Sequence, residues 1–202
     1  MLREGDAPAF CRVLLSGCAC GYKVLQDGRR QIVAIFLPGD ICDHGSMLMS
    51  RLDCSIGALC LLTCGRISWE SFERFSRERP LVHRALLLDM LAMVSIQREW
   101  AVNLGQRDAY ERMAHLICEL FARLRAVGLT KGDWCDWPLT QADLGDALGI
   151  SSVHVNRTIQ ELRRYKLVTV SNRTLTIPDL RALEVAALFC SGYVCFNADQ
   201  EA

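Results

Sequence analysis

Two glycines four residues apart, Gly145 and Gly149, followed by Val155, Ile159 and Leu162, constrain this chain more than any other feature. Two helices that cross steeply need a residue without bulk where they touch, and Gly145 falls midway along the first of them. Gly149 can supply the positive φ that a tight turn between helices demands. Val155, Ile159 and Leu162 then recur at helical spacing on the inward face of a second helix. Thr140 with Asp143 has the form of a capping box for the first helix, and Ser151 can cap the second. An ordinary helical hairpin would share the glycines and the apolar triplet. Both caps, together with a polar outer face, point instead to a helix-turn-helix over residues 141–162.

That outer face carries Ser152, Val153, His154, Asn156 and Arg157 near the amino end of the second helix, where such a motif reaches base edges. Arg157 can donate two hydrogen bonds to guanine, Asn156 can pair with adenine, and Val153 can pack on a thymine methyl. Arg163, Arg164 and Lys166 fall nearer the phosphates, as do Thr140 and Ser151 at the helix starts. Residues 151–166 hold four basic side chains against one acidic, in a chain whose 23 basic and 23 acidic residues cancel. Residues 167–170 and 174–177 alternate apolar and polar around Ser171, Asn172 and Arg173. This is the pattern of a β-hairpin wing, with Arg173 near its tip for a phosphate contact.

The first 78 residues read as β structure. Residues 11–15, 19–25, 31–37 and 56–62 are short apolar or alternating runs. Turn signals at Ser16-Gly17, Gln26-Asp27-Gly28 and Pro38-Gly39-Asp40 separate them, which predicts a small barrel or jelly roll. Pro80 suits a helix's first position, and residues 81–103 continue without glycine or proline. In that helix Leu86, Met90, Met93, Gln97 and Trp100 form a coiled-coil-like seam, while Leu87, Leu91, Val94 and Ala101 make a second apolar line. A helix with two apolar lines must be covered twice. The simplest arrangement lays one line on the roll and gives the seam of Leu86, Met90, Met93, Gln97 and Trp100 to a second subunit, although a central helix inside a monomer would also cover both. Gly105 then breaks the pattern as a candidate hinge. Asp108 can cap a further helix whose apolar face runs through Tyr110, Met113, Ile117, Leu120, Phe121 and Leu124, and residues 128–137 read as a polar and aromatic connection. The expected division is an α+β chain. A β-roll sensor spans residues 1–79, a pairing helix 80–104 and a winged helix-turn-helix 105–202, with an apolar capping helix and a frayed end after Ala182.

Residues 1–9 are short, polar and charged, unlike an export signal, and no apolar run approaches the roughly 20 residues that span a bilayer. A cytoplasmic protein without a membrane partner is expected. Seven of the eleven cysteines precede residue 65. In a reducing compartment they read as small apolar core residues, with redox or iron–sulfur sensing as the alternative; their spacings settle on no metal site. The roll segment holds one histidine, His44, while His83, His115 and His154 fall in helical segments. The absence of a two-histidine-plus-carboxylate set, a GxSxG and a P-loop argues against an enzyme. A ligand- or redox-sensing module that docks proteins through its winged helix is the competing reading.

The order of parts resembles the Crp/Fnr family of bacterial transcription regulators over about residues 3–180. The carriers are REGD at 3–6, LLSG at 14–17, DGRRQIVAIFLPGD at 27–40, NLGQRDAYERMAHLICEL at 103–120 and PLTQADLGDALGISSVHVNRTIQELRR at 138–164. The resemblance implies a cyclic-nucleotide-binding-like roll, a homodimer, a palindromic operator on double-stranded DNA and contact with RNA polymerase. It also implies three departures. Where nucleotide-binding members carry a glycine–glutamate pair for the ribose and an arginine–serine pair for the phosphate, this chain reads Asp43-His44 and Cys54-Ser55. A cyclic nucleotide such as cAMP is therefore not expected as cofactor, since an anion would meet a carboxylate. The oxygen-sensing branch places its cluster cysteines in an amino-terminal extension, whereas this chain opens inside the roll, leaving an edge uncovered; a late start codon or a trimmed sensor would account for that. Finally, valine stands at Val153 where members commonly carry a cytosine-reading glutamate, so one position of each half-site should differ.

Overall fold

The computed structural model describes residues 1–43 and 49–194, so His44 and Cys195 lie outside the described residues. It divides into two compact units, Met1–Val94 and Ser95–Ala202.

In the first unit, five strands form two small antiparallel sheets. Strands β1 (Phe10–Ser16) and β5 (Thr63–Ser68) pair in one, and β3 (Arg30–Phe36), β2 (Ala19–Val24) and β4 (Ser55–Ala58) lie in that order in the other. Leu14, Ala19, Ala34, Phe36, Cys42 and Ile56 form the core, flanked by Leu2, Leu62, Cys64 and Met93. These are inward positions of alternating strands, which is why the runs read as β from sequence. Two readings change. The apolar run 56–62 is strand only to Ala58; Leu61 is 97% exposed, and the chain turns there against Gly17. A Cβ on Gly17 would stand 2.4 Å from the Leu61 carbonyl oxygen, so the turn needs that glycine for space as well as for its φ of 83°. The chain then supplies β5, which the apolar pattern had not separated. Residues 69–78 are also not β: they form helix α1 (Trp69–Glu78), started by the Ser68 hydroxyl accepting from the Ser71 amide. Trp69, Phe72 and Phe75, spaced by three, carried that helical signal.

Helix α2 (Pro80–Gly105) runs 26 residues and is long and apolar enough, by length and composition alone, to cross a membrane. Arg84, Asp89, Arg98 and Glu99 interrupt it, so no uninterrupted apolar run within it reaches that length. Two seam residues also face inward rather than outward. Met93 packs on the roll core, and Trp100 is 6% exposed. Leu86 and Met90 line a hollow with Trp69 and Phe72 of α1, while Gln97 is exposed. The second line, Leu87, Leu91, Val94 and Ala101, is the more open one.

The second unit holds the rest. Asp108 closes a capping box with Glu111 at the start of α3 (Ala109–Ala126), whose apolar residues make the unit's core. Residues 128–137 are more than a connection. They contribute β6 (Thr130–Lys131) and β7 (Trp134–Asp136), hinged at Gly132 with φ 65°, to a sheet ordered β6-β7-β9-β8 with β8 (Thr169–Ser171) and β9 (Thr174–Thr176). The wing hairpin is thus anchored by a strand from before the helix-turn-helix. Helix α6 (Leu180–Ala186) and a short 3-10 turn (Ser191–Tyr193) follow.

Candidate nucleic-acid interface

Helix α4 (Gln141–Leu148) begins at Thr140, whose hydroxyl accepts from the Asp143 amide at 3.1 Å while Asp143 answers to the Thr140 amide, also at 3.1 Å. It ends at Gly149 with φ 67° and ψ 33°, the left-handed geometry the turn requires. A Cβ on Gly145 would come within 2.7 Å of the Ile150 carbonyl oxygen, so the turn can close only over a glycine. Arg112 of α3 donates from Nη1 to the Leu148 carbonyl at 2.5 Å and from Nη2 to the Arg107 carbonyl at 3.0 Å, holding the end of α4 to α3. Helix α5 (Ser152–Arg164) starts from Ser151, whose hydroxyl accepts from the His154 amide at 3.3 Å. Val155, Ile159 and Leu162 are buried, as their spacing predicts, and Thr158 joins them.

The opposite face of α5 is open. Ser152, Val153, Asn156 and Arg157 are exposed, His154 partly so, and Val153 leaves 79% of its surface bare. An apolar side chain that naked buries little surface within the chain itself. Arg157 Nη2 lies 3.1 Å from His154 Nε2, so the imidazole steadies the guanidinium. The residues assigned to phosphates divide. Lys166 and Arg173 are exposed, both at positive φ (57° and 58°): Lys166 lies just past the end of α5, and Asn172-Arg173 make the two-residue wing turn. Arg164 pairs loosely with Glu161 at 3.6 Å. Arg163 instead donates to the Val170 carbonyl at 2.8 Å, tying α5 to the wing. The hydroxyls of Thr140 and Ser151 are engaged as caps.

In the roll, Asp43 is buried, and its carboxylate accepts from the Arg12 amide at 2.7 Å and from Arg12 Nη1 at 2.9 Å. Ser55 accepts from the Glu4 amide at 3.1 Å. Asp43 is thus a buried carboxylate already paired within the chain. Burial pushes the Cys11 and Cys42 thiols up to about 12 and Cys54 to about 11, and does the same in the second unit for Cys118, to about 12, and Cys135, to about 11. Among the described residues, no three His, Cys, Asp or Glu side chains converge to hold a metal ion.

A set that the sequence reading missed lies in the second unit: Glu99, Trp100, Asn103, His115, Glu119 and Tyr193, brought together by hydrogen bonds. Its only sequence signal is polar residues on otherwise apolar helix faces, which reads equally as solvent exposure.

Residues 111–186 match the Crp-like helix-turn-helix domain and residues 1–79 the cyclic nucleotide-binding domain. The nitrogen fixation regulation protein FixK of Bradyrhizobium diazoefficiens is 32% identical over 186 residues, covering 91% of this chain and 76% of that protein. The transcriptional activator protein FnrL of Cereibacter sphaeroides is 28% identical, over 84% of this chain and 69% of that one. Among solved structures, FixK2 from Bradyrhizobium japonicum superposes with a TM-score of 0.80 at 22% identity, over 94% of this chain and 93% of that one, a likeness of fold.

Proposed function

The chain belongs to the Crp/Fnr family and is a DNA-binding transcription regulator; from this we propose that it reads a two-fold symmetric operator as a homodimer through the open face of α5. The observation that carries this reading is the bare, mixed face of Ser152, Val153, His154, Asn156 and Arg157 on a helix whose other face is fully packed. Lys166, Arg164 and the wing's Arg173 follow the backbone, and Thr140 and Ser151 place helix starts toward phosphates. The bared line of α2, Leu87, Leu91, Val94 and Ala101, is the surface we assign to the second subunit, with Leu86, Met90 and Gln97 at its margin. A two-fold dimer covers such a line with its own copy and explains an apolar helix that is scarcely buried in one chain.

Val153 meets a thymine methyl in this reading, so the operator departs at one position of each half-site from sites read by a glutamate. The roll acts as the sensing unit for a signal other than a cyclic nucleotide, with α2 as the path to the reading helices. Such a regulator works in the cytoplasm and meets RNA polymerase at the promoter, and its role is regulatory rather than catalytic. Duplexes selected from a random pool by the purified protein test the reading. A palindromic sequence should emerge, bound with a steep salt dependence; selection of nothing above bulk genomic competitor would end it.

A further inference from the structure

Away from the α5 face, a largely buried polar cluster joins four segments of the second unit. Glu99, Trp100 and Asn103 come from the end of α2, Arg107 from the turn after it, His115, Glu119 and Arg123 from α3, and Tyr193 from the segment behind α6. The fully buried Glu119 accepts through Oε2 from Trp100 Nε1 at 3.0 Å and from the Tyr193 hydroxyl at 3.2 Å, and through Oε1 from Arg123 Nη1 at 3.4 Å. Arg107 Nη1 donates to Glu99 Oε2 at 3.1 Å and to Asn103 Oδ1 at 2.9 Å. That last bond decides a tautomer. Because the Asn103 oxygen already receives a donor, its amide NH2 is the group 3.1 Å from His115 Nδ1, and Nδ1 must be bare to accept. The proton therefore sits on Nε2, which lies 3.5 Å from both Glu99 Oε2 and the Tyr193 hydroxyl. Tyr193 stacks on the imidazole with planes 6° apart, and Phe189 meets its edge.

A proton added at Nδ1 would set donor against donor and break the bond from α2 to α3. We propose that His115 is a proton-responsive latch within the second unit: neutral, it fastens the end of α2 and the C-terminal segment to α3; protonated, it lets them go. The sign follows from burial. Desolvation, with Arg107 adding to it, holds His115 down from 6.5 to about 3, so the closed state has its full advantage above about pH 6.5 and loses it progressively in acid. Glu99, Glu119, Arg107 and the Tyr193 hydroxyl are the titratable groups around the ring. Burial shifts Glu119 upward from 4.5, which favours closure as pH falls and opposes the histidine.

Amide hydrogen exchange on the full chain, corrected for its intrinsic pH dependence, tests the latch alongside imidazole nitrogen NMR. Between about pH 7.5 and 5.5 the opening of residues 99–107 and 189–194 should rise by up to about tenfold, the limit set by one proton taken up at His115, less what Glu119 returns. His115 itself should hold its neutral Nε2–H form in the closed state. His115→Gln keeps an acceptor for Asn103 but takes no proton, and should flatten the pH dependence. Tyr193→Phe keeps the stack, loses the bond to Glu119, and should open the segment already at pH 7.5. A flat wild-type profile, or one that His115→Gln leaves unchanged, overturns the latch.

Discussion

Arg157 and Lys166 lie on the same helix or just past its end, yet their loss should weaken binding in different ways. Arg157→Ala removes a side chain placed for a guanine edge, so it should cost about 1–3 kcal/mol per half-site and relax one base position. Lys166→Ala should weaken all sequences alike and shallow the salt dependence by about one counterion. Fluorescence anisotropy on the selected operator and on random duplex separates the two. Gly145→Ala forces a methyl into the Ile150 carbonyl, 2.7 Å away, and should destabilise the second unit by about 1–3 kcal/mol in thermal unfolding. The thiols should divide as well. Cys190 is exposed, whereas Cys11, Cys42, Cys118 and Cys135 are buried with their thiols held protonated. Alkylation at neutral pH followed by mass spectrometry should label Cys190 first and those four only on unfolding.

At the scale of the element, α2 shows where periodicity stops being decisive. Two apolar lines at heptad spacing were both legible, because the helix repeats its side chains in a fixed order. Which line turns inward was not legible, since that depends on what stands opposite: Met93 met the roll core and Trp100 met the Glu119 carboxylate. Leu91→Glu, on the bared line, should therefore yield monomers in light scattering while leaving the roll's stability nearly unchanged. Met93→Ala should do the reverse, costing about 2–5 kcal/mol if its site cannot collapse. The same limit explains β6 and β7. Two- and three-residue strands carry no periodic signal, and they exist because β9 offers β7 a partner and β7 offers one to β6.

For the whole molecule, the two units carry different sensitivities. His115 is fully buried in the second unit, so its contribution to that unit's stability should fall by about 1.4 kcal/mol between pH 7.5 and 5.5, through protonation of the unfolded chain from 6.5 while the folded value stays near 3, with Glu119 offsetting part of the loss. Calorimetry across that range should show its transition moving down, and His115→Gln should hold it still. Within this unit the glycine spacing, the capping boxes and the buried triplet of α5 were all readable from residues near one another in the chain. The compact units part between Val94 and Ser95, inside α2, and no local break in the sequence marks that point. On both sides of Gly105, Asn103 and Arg107 are bonded to each other and onward to Glu99 and His115, ties that a glycine read as a hinge gives no hint of.

By itself the sequence determined the helix-turn-helix, its caps, the wing and the residues of the open α5 face, because short-range sterics and hydrogen bonding fix these within a few residues of chain. Only the tertiary structure decided that Asp43 is paired by Arg12, that Trp100 belongs to its own unit, and that Tyr193 closes over His115 and Glu119. Those outcomes join residues 31, 19, and 74 or 78 positions apart. Over such separations the polarity of a side chain says only that it needs a partner, and the packed fold alone supplies one.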